Sequence, residues 1–143
     1  MDWSGIRIQA DRLHASLQRM AEIGATPGGG VTRLALSDED RAGRELLRQW
    51  MTEAGLSVRV DDLGNMVGRR DGREDLPPVQ LGSHCDSVRL GGRFDGVLGV
   101  LGALEVVRTL NDHGIATRHP IEVINWTNEE GVRFEPAMLA SGV

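Results

Sequence analysis

The amino-acid sequence predicts an α/β fold in which helices are layered against a sheet. Amphipathic helical segments alternate along the chain with short apolar or β-branched runs, which is typical of this class. The strongest helical segment runs from Val97 to Asn111, with apolar residues at spacings of three and four. The run from Ile121 to Trp126 is the richest in β-branched residues and predicts an inner strand. We expect one domain over residues 1–143, long enough to bury a core.

Two further helices are predicted nearer the N-terminus. The segment Ile6–Ile23 carries one apolar stripe and is followed by Gly24, a helix stop signal. The second helix begins after Ser37, which can cap the helix N-terminus ahead of three acidic residues. Its apolar stripe ends before Gly55.

Three short strands are predicted between the second and third helices. Leu56–Val60 alternates apolar and polar residues, as a half-buried strand does, and Met66–Arg69 is expected to pair back with it as a hairpin. Val79–Gly82 is expected to be a short buried strand. With the Ile121–Trp126 run, these segments would make a sheet in which strands and helices alternate.

Composition narrows the class of protein. The formal net charge of −5 argues against a nucleic acid or an anionic membrane as partner. The sole cysteine, Cys85, allows no internal disulfide, which favours a reducing compartment, and we expect a cytoplasmic protein. No apolar run approaches the length needed to cross a membrane, so no membrane association is expected.

Candidate metal ligands follow two of the predicted strands. His84 and Asp86 come just after the Val79–Gly82 strand, and Glu129 and Glu130 come just after Ile121–Trp126. A further carboxylate, that of Asp95, stands at the start of the third helix. Sites in α/β sheets form beyond the carboxyl ends of strands, so these groups are expected at one edge.

Imidazole and carboxylate suit zinc, manganese, cobalt or nickel. Asp86 is placed to hydrogen-bond the ring nitrogen of His84 that faces away from a metal, and Asp95 could offer one oxygen to each of two metals. The side chains of Glu129 and Glu130 diverge, so one could ligate a metal while the other takes a proton from a metal-bound water.

Each of these features also has a simpler explanation. A lone His-x-Asp is most often a surface ion pair or a helix cap, and two adjacent glutamates are usually a solvated turn. Cys85 is better explained as a small buried filler than as a ligand, because its side chain should point away from His84 and Asp86. The convergence of three separate stretches favours a metal site over these alternatives.

Three motifs carry a resemblance to a known family. They are Gly-Ser-His-Cys-Asp-Ser-Val from Gly82, Gly-Gly-Arg-Phe-Asp-Gly-Val from Gly91, and Asn-Glu-Glu-Gly-Val-Arg-Phe from Asn128. An earlier stretch, Gly-Gly-Val-Thr-Arg from Gly29, agrees with them. The sequence resembles the hydantoinase/carbamoylase amidases, which include N-carbamoyl-L-amino-acid hydrolases, allantoate amidohydrolases and β-ureidopropionases. These amidases lie within the larger clan of co-catalytic zinc peptidases.

The resemblance implies a role for each candidate residue. His84 would ligate one metal, Asp95 would bridge, and Glu130 would ligate the second metal. Glu129 would be the general base and Asp86 would support His84. The cofactor would be two divalent metal ions, zinc in the first place, with manganese, cobalt or nickel as alternatives.

The resemblance also implies the substrate, the assembly and the extent of the protein. A carbamoyl or ureido acid would be hydrolysed at a non-peptide C–N bond, and the full-length protein would be a homodimer. The fold would be a layered α/β/α sheet of the zinc aminopeptidase-like type. Family members are much longer, so we expect this chain to be an incomplete version of that fold, the N-terminal part of the catalytic domain without the lid domain. The alternatives are a peptidase or N-acyl-amino-acid deacylase of the same clan, and a truncated fragment without catalytic activity.

Overall fold

A mixed four-stranded sheet forms the centre of the structure. The fold is that of a computed structural model, which describes residues 4–142. The strands are β1 (Ser57–Val60), β2 (Met66–Arg70), β3 (Val79–His84) and β4 (Ile121–Trp126), and the helices are α1 (Ala10–Ala21), α2 (Asp38–Glu53) and α3 (Val97–Asp112). The strand order is β1-β2-β4-β3, with β3 parallel to β4 and the other two pairs antiparallel. The predicted domain of residues 1–143 therefore includes four residues, 1–3 and 143, that lie outside the described part.

The three helices share one hydrophobic core with the sheet. Helix α2 packs on β1 and β2, α3 packs on β3 and β4, and α1 packs on α3. The core is made of buried apolar side chains that come mainly from the three helices, β2 and β4, among them Met20, Leu47, Met51, Met66, Leu104 and Val123, while Val58 of β1 and Leu81 of β3 are partly buried against it. Because side chains alternate along a strand, Glu122 lies on the opposite face. Residues 4–142 thus comprise the sheet and one helical layer, which confirms the predicted α/β class.

Helices α2 and α3 begin and end close to where the sequence predicts. The hydroxyl of Ser37 accepts a hydrogen bond from the Asp40 backbone N–H at 3.2 Å, so Ser37 is the N-cap of α2. Gly55 follows α2 with a φ of 82°, a left-handed conformation that favours glycine at a helix end. Helix α3 starts at Val97 as predicted and extends one residue beyond Asn111.

Helix α1 is shorter than predicted, since it begins at Ala10 instead of Ile6 and ends at Ala21. Gln9 is extended, and its backbone N–H donates to the Glu105 carboxylate on α3 at 3.1 Å. This long-range hydrogen bond holds the preceding residues outside the helix. An apolar pattern near Ile6 cannot reveal it, because the acceptor lies far away in the sequence.

The predicted hairpin and the predicted inner strand are both confirmed. Strands β1 and β2 pair antiparallel, and β4 lies between β2 and β3 with five of its six residues buried. The prediction of a buried Val79–Gly82 strand is wrong. Strand β3 lies at the sheet edge, Val79 is 50% exposed, and the strand continues to His84. Among residues 4–142, β3 pairs with β4 on one side and has no strand on its other side, so its apolar residues are less covered than they would be in the middle of a sheet.

Across residues 4–142, none of the helices has both the length and the apolar character that a membrane span requires.

Candidate metal centre

Two adjacent strand ends bring the predicted site residues together. Strands β3 and β4 are parallel, with His84 opposite Trp126 in the register. The chain therefore leaves both strands at the same edge of the sheet. The Asp86 carboxylate accepts hydrogen bonds from the backbone N–H groups of Glu129 and Glu130, at 3.3 and 3.2 Å. These contacts join the two loops that carry the candidate residues.

Asp86 supports His84 in a different way from the one predicted. The His84 Nδ1 atom lies 2.9 Å from the backbone carbonyl oxygen of Asp86, whereas the nearer carboxylate oxygen is 3.7 Å away. A carbonyl oxygen can only accept, so Nδ1 carries the proton in the neutral ring and Nε2 carries the lone pair. The expected side-chain hydrogen bond is thus replaced by a backbone one, because the carboxylate turns towards the N–H groups of the neighbouring loop.

The lone-pair nitrogen of His84 faces a carboxylate. Its Nε2 atom lies 3.3 Å from Oε2 of Glu129. Two acceptor atoms at this distance repel each other unless a positive charge is shared between them. That charge is either a proton on the ring or a cation bound nearby.

A pair of carboxylates, those of Glu130 and Asp95, lies close to His84 and Glu129. Burial raises the pKa of Glu130, and the nearby negative charge of Asp95 raises it further. The Oε1 atom of Glu130 is buried and has no hydrogen-bond partner among residues 4–142. A buried carboxylate oxygen without a hydrogen-bond partner, close to a second negative charge, is an environment that a bound cation would stabilise.

The backbone at Gly96 is shaped around the histidine ring. Gly96 has a φ of 62°, and a Cβ atom built there would lie 2.5 Å from ring atoms of His84. Only glycine allows this close approach. Gly96 also precedes α3, so the same residue positions Asp95 at the helix N-terminus and leaves room for His84.

These side chains fit part of a coordination shell for divalent metal ions. Imidazole nitrogen and carboxylate oxygen are ligands of zinc and its neighbours, and the pairs His84–Glu129 and Asp95–Glu130 each place two donors together. Within the chain from residue 4 to residue 142, however, no group of three or more His, Cys, Asp or Glu side chains has an arrangement that could hold an ion. The four side chains fit such ions as a partial ligand set.

Cys85 lies between His84 and Asp86 but points into the core, as predicted. It is fully buried in the main hydrophobic cluster. Burial raises the pKa of its thiol to about 12, in keeping with a side chain enclosed by apolar neighbours.

Two asparagine side chains lie close to this edge of the sheet. Asn125 and Asn128 are buried, and the side-chain oxygen of each has no hydrogen-bond partner in the described structure. The Asn128 side-chain nitrogen donates to the Phe134 carbonyl at 2.7 Å, which ties the loop after β4 to the following segment. The Asn128 side chain therefore stabilises this loop.

Two residues that hold the site were not identified from the sequence. The side chain of Asn65 accepts from the Thr127 backbone N–H at 2.9 Å and donates to the Ala140 carbonyl at 3.1 Å. Arg33 is completely buried beneath residues 85–87. The only available signal was that Arg33 ends the Gly-Gly-Val-Thr-Arg motif, since an arginine in a loop normally predicts a solvated side chain.

The chain is similar to known hydrolases. A family model described as Peptidase family M20/M25/M40 matches residues 80–142, the part that contains all five candidate residues. Over 138 residues the chain is 58% identical to an N-carbamoyl-L-amino-acid amidohydrolase of Rhizobium meliloti, covering 96% of this chain and 33% of that protein. It is 37% identical to a ureidoglycolate hydrolase of Arabidopsis thaliana, covering 96% of this chain and 29% of that protein.

A solved structure agrees with these relatives. The fold superposes with a TM-score of 0.97 on a hydantoinase/carbamoylase-family amidase from Burkholderia vietnamiensis, at 58% identity, over 100% of this chain and 35% of that one. Over nearly its whole length, the chain is therefore similar to one portion of the hydantoinase/carbamoylase-family amidases. It spans about one third of the length of the curated relatives that it matches.

Proposed function

We propose that the protein containing this chain is a metal-dependent amidohydrolase that cleaves non-peptide C–N bonds in linear N-carbamoyl or ureido acids. One structural observation carries the proposal. At the joined ends of β3 and β4, the His84 lone pair faces Glu129 at 3.3 Å, and Glu130 lies against Asp95. The names of the relatives, an N-carbamoyl-L-amino-acid amidohydrolase and a ureidoglycolate hydrolase, support the substrate class.

His84, Asp95 and Glu130 would hold two divalent metal ions, with Asp95 shared between them. When bound, such ions polarise a carbonyl group and lower the pKa of water. Zinc is the metal that we propose first, and manganese, cobalt and nickel accept the same ligand types. The proton on Nδ1 of His84, held by the Asp86 carbonyl, keeps Nε2 free to donate its lone pair.

Glu129 moves the proton in this proposal. Its Oε2 atom is at the edge of the site, and the side chain is 30% exposed, so water can reach it. The carboxylate accepts a proton from the attacking water while the water oxygen bonds to the carbonyl carbon. The same Oε2 then gives that proton to the leaving nitrogen as the C–N bond breaks. The Asp86 carboxylate holds the Glu129 backbone N–H and so orients the base.

The test uses the full-length protein. We expect hydrolysis of N-carbamoyl-L-amino acids or ureido acids, loss of activity after treatment with a chelator, and recovery when zinc, manganese, cobalt or nickel is added. Dipeptides and N-acetyl amino acids are assayed in parallel, since these are the substrates of a peptidase or deacylase. Full activity of the metal-free protein would contradict metal dependence, and preferential cleavage of dipeptides would contradict the amidase assignment.

A further inference from the structure

Arg33 is a completely buried arginine directly beneath the candidate centre. It has 0% exposure and lies in the loop between α1 and α2. The guanidinium Nε donates to the Cys85 carbonyl at 2.7 Å, and Nη1 donates to the carbonyls of Met20 and Ile23 at 3.0 and 2.8 Å. One side chain therefore connects the end of α1 to the segment that follows His84.

The backbone of Arg33 holds the same segment from its other side. The Arg33 N–H donates to the Ser87 hydroxyl at 2.9 Å, and the Ser87 N–H donates to the Arg33 carbonyl at 2.9 Å. Cys85 and Ser87 are thus both fixed by Arg33, and Asp86 lies between them. The Asp86 carboxylate in turn accepts from the backbone N–H groups of Glu129 and Glu130. Arg33 is thus linked to both glutamates by its hydrogen bonds to Cys85 and Ser87, by the backbone of residues 85–87, and by the hydrogen bonds of Asp86.

Burial of the Arg33 guanidinium destabilises the folded state. A buried guanidinium loses its hydration, and its acceptors here are neutral carbonyls, while Nη2 has no hydrogen-bond partner among residues 4–142. Its positive charge is attracted by Asp40 and Asp86. A methionine would fill a similar volume without the cost of burying a charge. A requirement beyond packing therefore favours arginine.

The neighbouring helix makes space for it. Gly43 lies within α2, where glycine costs about 1 kcal/mol relative to alanine. A Cβ atom at this position would lie 3.0 Å from Cδ of Arg33, and its next neighbours are the Nε of Arg33 and the Sδ of Met20. Glycine at position 43 thus accommodates the aliphatic part of the Arg33 side chain.

We propose that Arg33 is a positioning residue of the amidase centre, which fixes residues 85–87 and through Asp86 sets the orientation of Glu129 and Glu130. The inference rests on the proposed function, because it gives those glutamates their role. Arg33 acts only through other residues, so its loss should disturb the arrangement of the ligands and of the base more than it disturbs substrate binding.

The test compares three variants of the full-length protein. In Arg33→Met we expect kcat to fall by about tenfold or more, the scale seen when groups that orient ligands are removed, with KM changing by less than about threefold. Arg33→Lys keeps the positive charge but has a single ammonium group as donor in place of the guanidinium Nε and Nη1. We therefore expect this variant to retain part of the kcat that Arg33→Met loses. Arg12→Met is the matched control, since Arg12 also joins two helices but pairs with Glu105 and Asp112 away from the site.

A spectroscopic readout separates this inference from the proposed function. The protein is loaded with cobalt(II), and its visible absorption reports the ligand arrangement without any substrate. Arg33→Met should shift these bands, and Arg12→Met should leave them unchanged. If the wild type does not hydrolyse carbamoyl or ureido acids, the proposed function fails, yet the spectra still decide the role of Arg33.

Two results would overturn the inference. One is a folded Arg33→Met protein with wild-type kcat and a wild-type cobalt spectrum. The other is equal changes in Arg33→Met and Arg12→Met, which would indicate a general loss of stability. If Arg33→Met does not fold, the cobalt spectrum of Gly43→Ala is the test. The new Cβ would lie 3.0 Å from Cδ of Arg33 and would displace that side chain, while residues 85–87 keep their sequence. A changed spectrum in that variant supports the inference, and an unchanged one rejects it.

Discussion

At the scale of single residues, Gly96 shows how closely the backbone is matched to the histidine ring. We expect Gly96→Ala to abolish most activity of the full-length protein, because the new Cβ would lie 2.5 Å from the ring of His84 and the φ of 62° disfavours alanine. Gly102→Ala on α3 is a suitable control, since a Cβ there has no neighbour within 4 Å. Metal content and turnover are measured for both variants. Wild-type metal content and turnover in Gly96→Ala would contradict this reading of the site.

The adjacent glutamates should respond differently to the same chemical change. Glu129→Gln should retain its metal and lose about 10²- to 10⁴-fold in kcat, because a positioned base contributes on that scale. Glu130→Gln should lose metal as well, since Glu130 lies against Asp95 and has a buried oxygen with no other partner. Metal analysis by mass spectrometry beside single-substrate kinetics checks both. Equal metal loss in the two variants would contradict the separate roles.

At the scale of secondary-structure elements, a buried ion pair joins α1 to α3. The Glu105 carboxylate on α3 accepts two hydrogen bonds from Arg12 on α1, each of 2.8 Å, and the Glu105 side chain is completely buried. Burial acts to raise the pKa of Glu105, but the hydrogen bonds from Arg12 and Gln9 outweigh it, and the pKa is lowered. The charged form of Glu105 therefore stabilises the packing of the two helices.

Glu105→Gln should lower the free energy of unfolding of the full-length protein by about 2–3 kcal/mol at pH 7, because it replaces hydrogen bonds to a charged group. With a lowered pKa in the folded state, this contribution is complete above the unfolded pKa near 4.5 and is lost as the pH falls through the folded value. Urea unfolding at several pH values should show the wild type and the variant converging in acid. Asp112→Asn, at a more exposed partner of Arg12, is the control and should cost less. A difference that stayed constant down to pH 2 would contradict the role of the charge.

At the scale of the whole molecule, the ligand set is incomplete within residues 4–142. His84, Asp95 and Glu130 would have to serve two metals, and a catalytic zinc usually has three protein ligands and an open position. We expect the chain of residues 1–143, purified alone, to bind metal weakly and to turn over N-carbamoyl amino acids far more slowly than the full-length protein. Two tightly bound metals per chain, with turnover like that of the full-length protein, would show that the chain is self-sufficient.

Within residues 4–142, the sheet has an unpaired edge next to the candidate metal centre. Strand β4 is the predicted inner strand and has neighbours on both sides. The edge strand beside it is β3, which is parallel to β4 and ends at His84. An unpaired edge next to the site is a surface through which a separately purified chain would self-associate.

Much of the fold could be predicted from local patterns. The apolar stripes of α2 and α3, the Ser37 cap and the β-branched run of β4 each reflect a period or a capping group that neighbouring residues supply. His84, Glu129 and Glu130 could be placed at strand ends for the same reason. The family resemblance, carried by the motifs around these residues, is borne out by the comparisons.

Only the tertiary structure decided which groups those residues contact. The Asp86 carboxylate turns to the loop after β4 instead of to His84, α1 begins at Ala10 because Gln9 bonds to Glu105, and Arg33 is buried beneath residues 85–87. Each of these contacts joins residues at least 43 positions apart. A local pattern determines which face of an element is apolar. The partner of a polar group depends instead on which distant element the packed core brings within hydrogen-bonding distance.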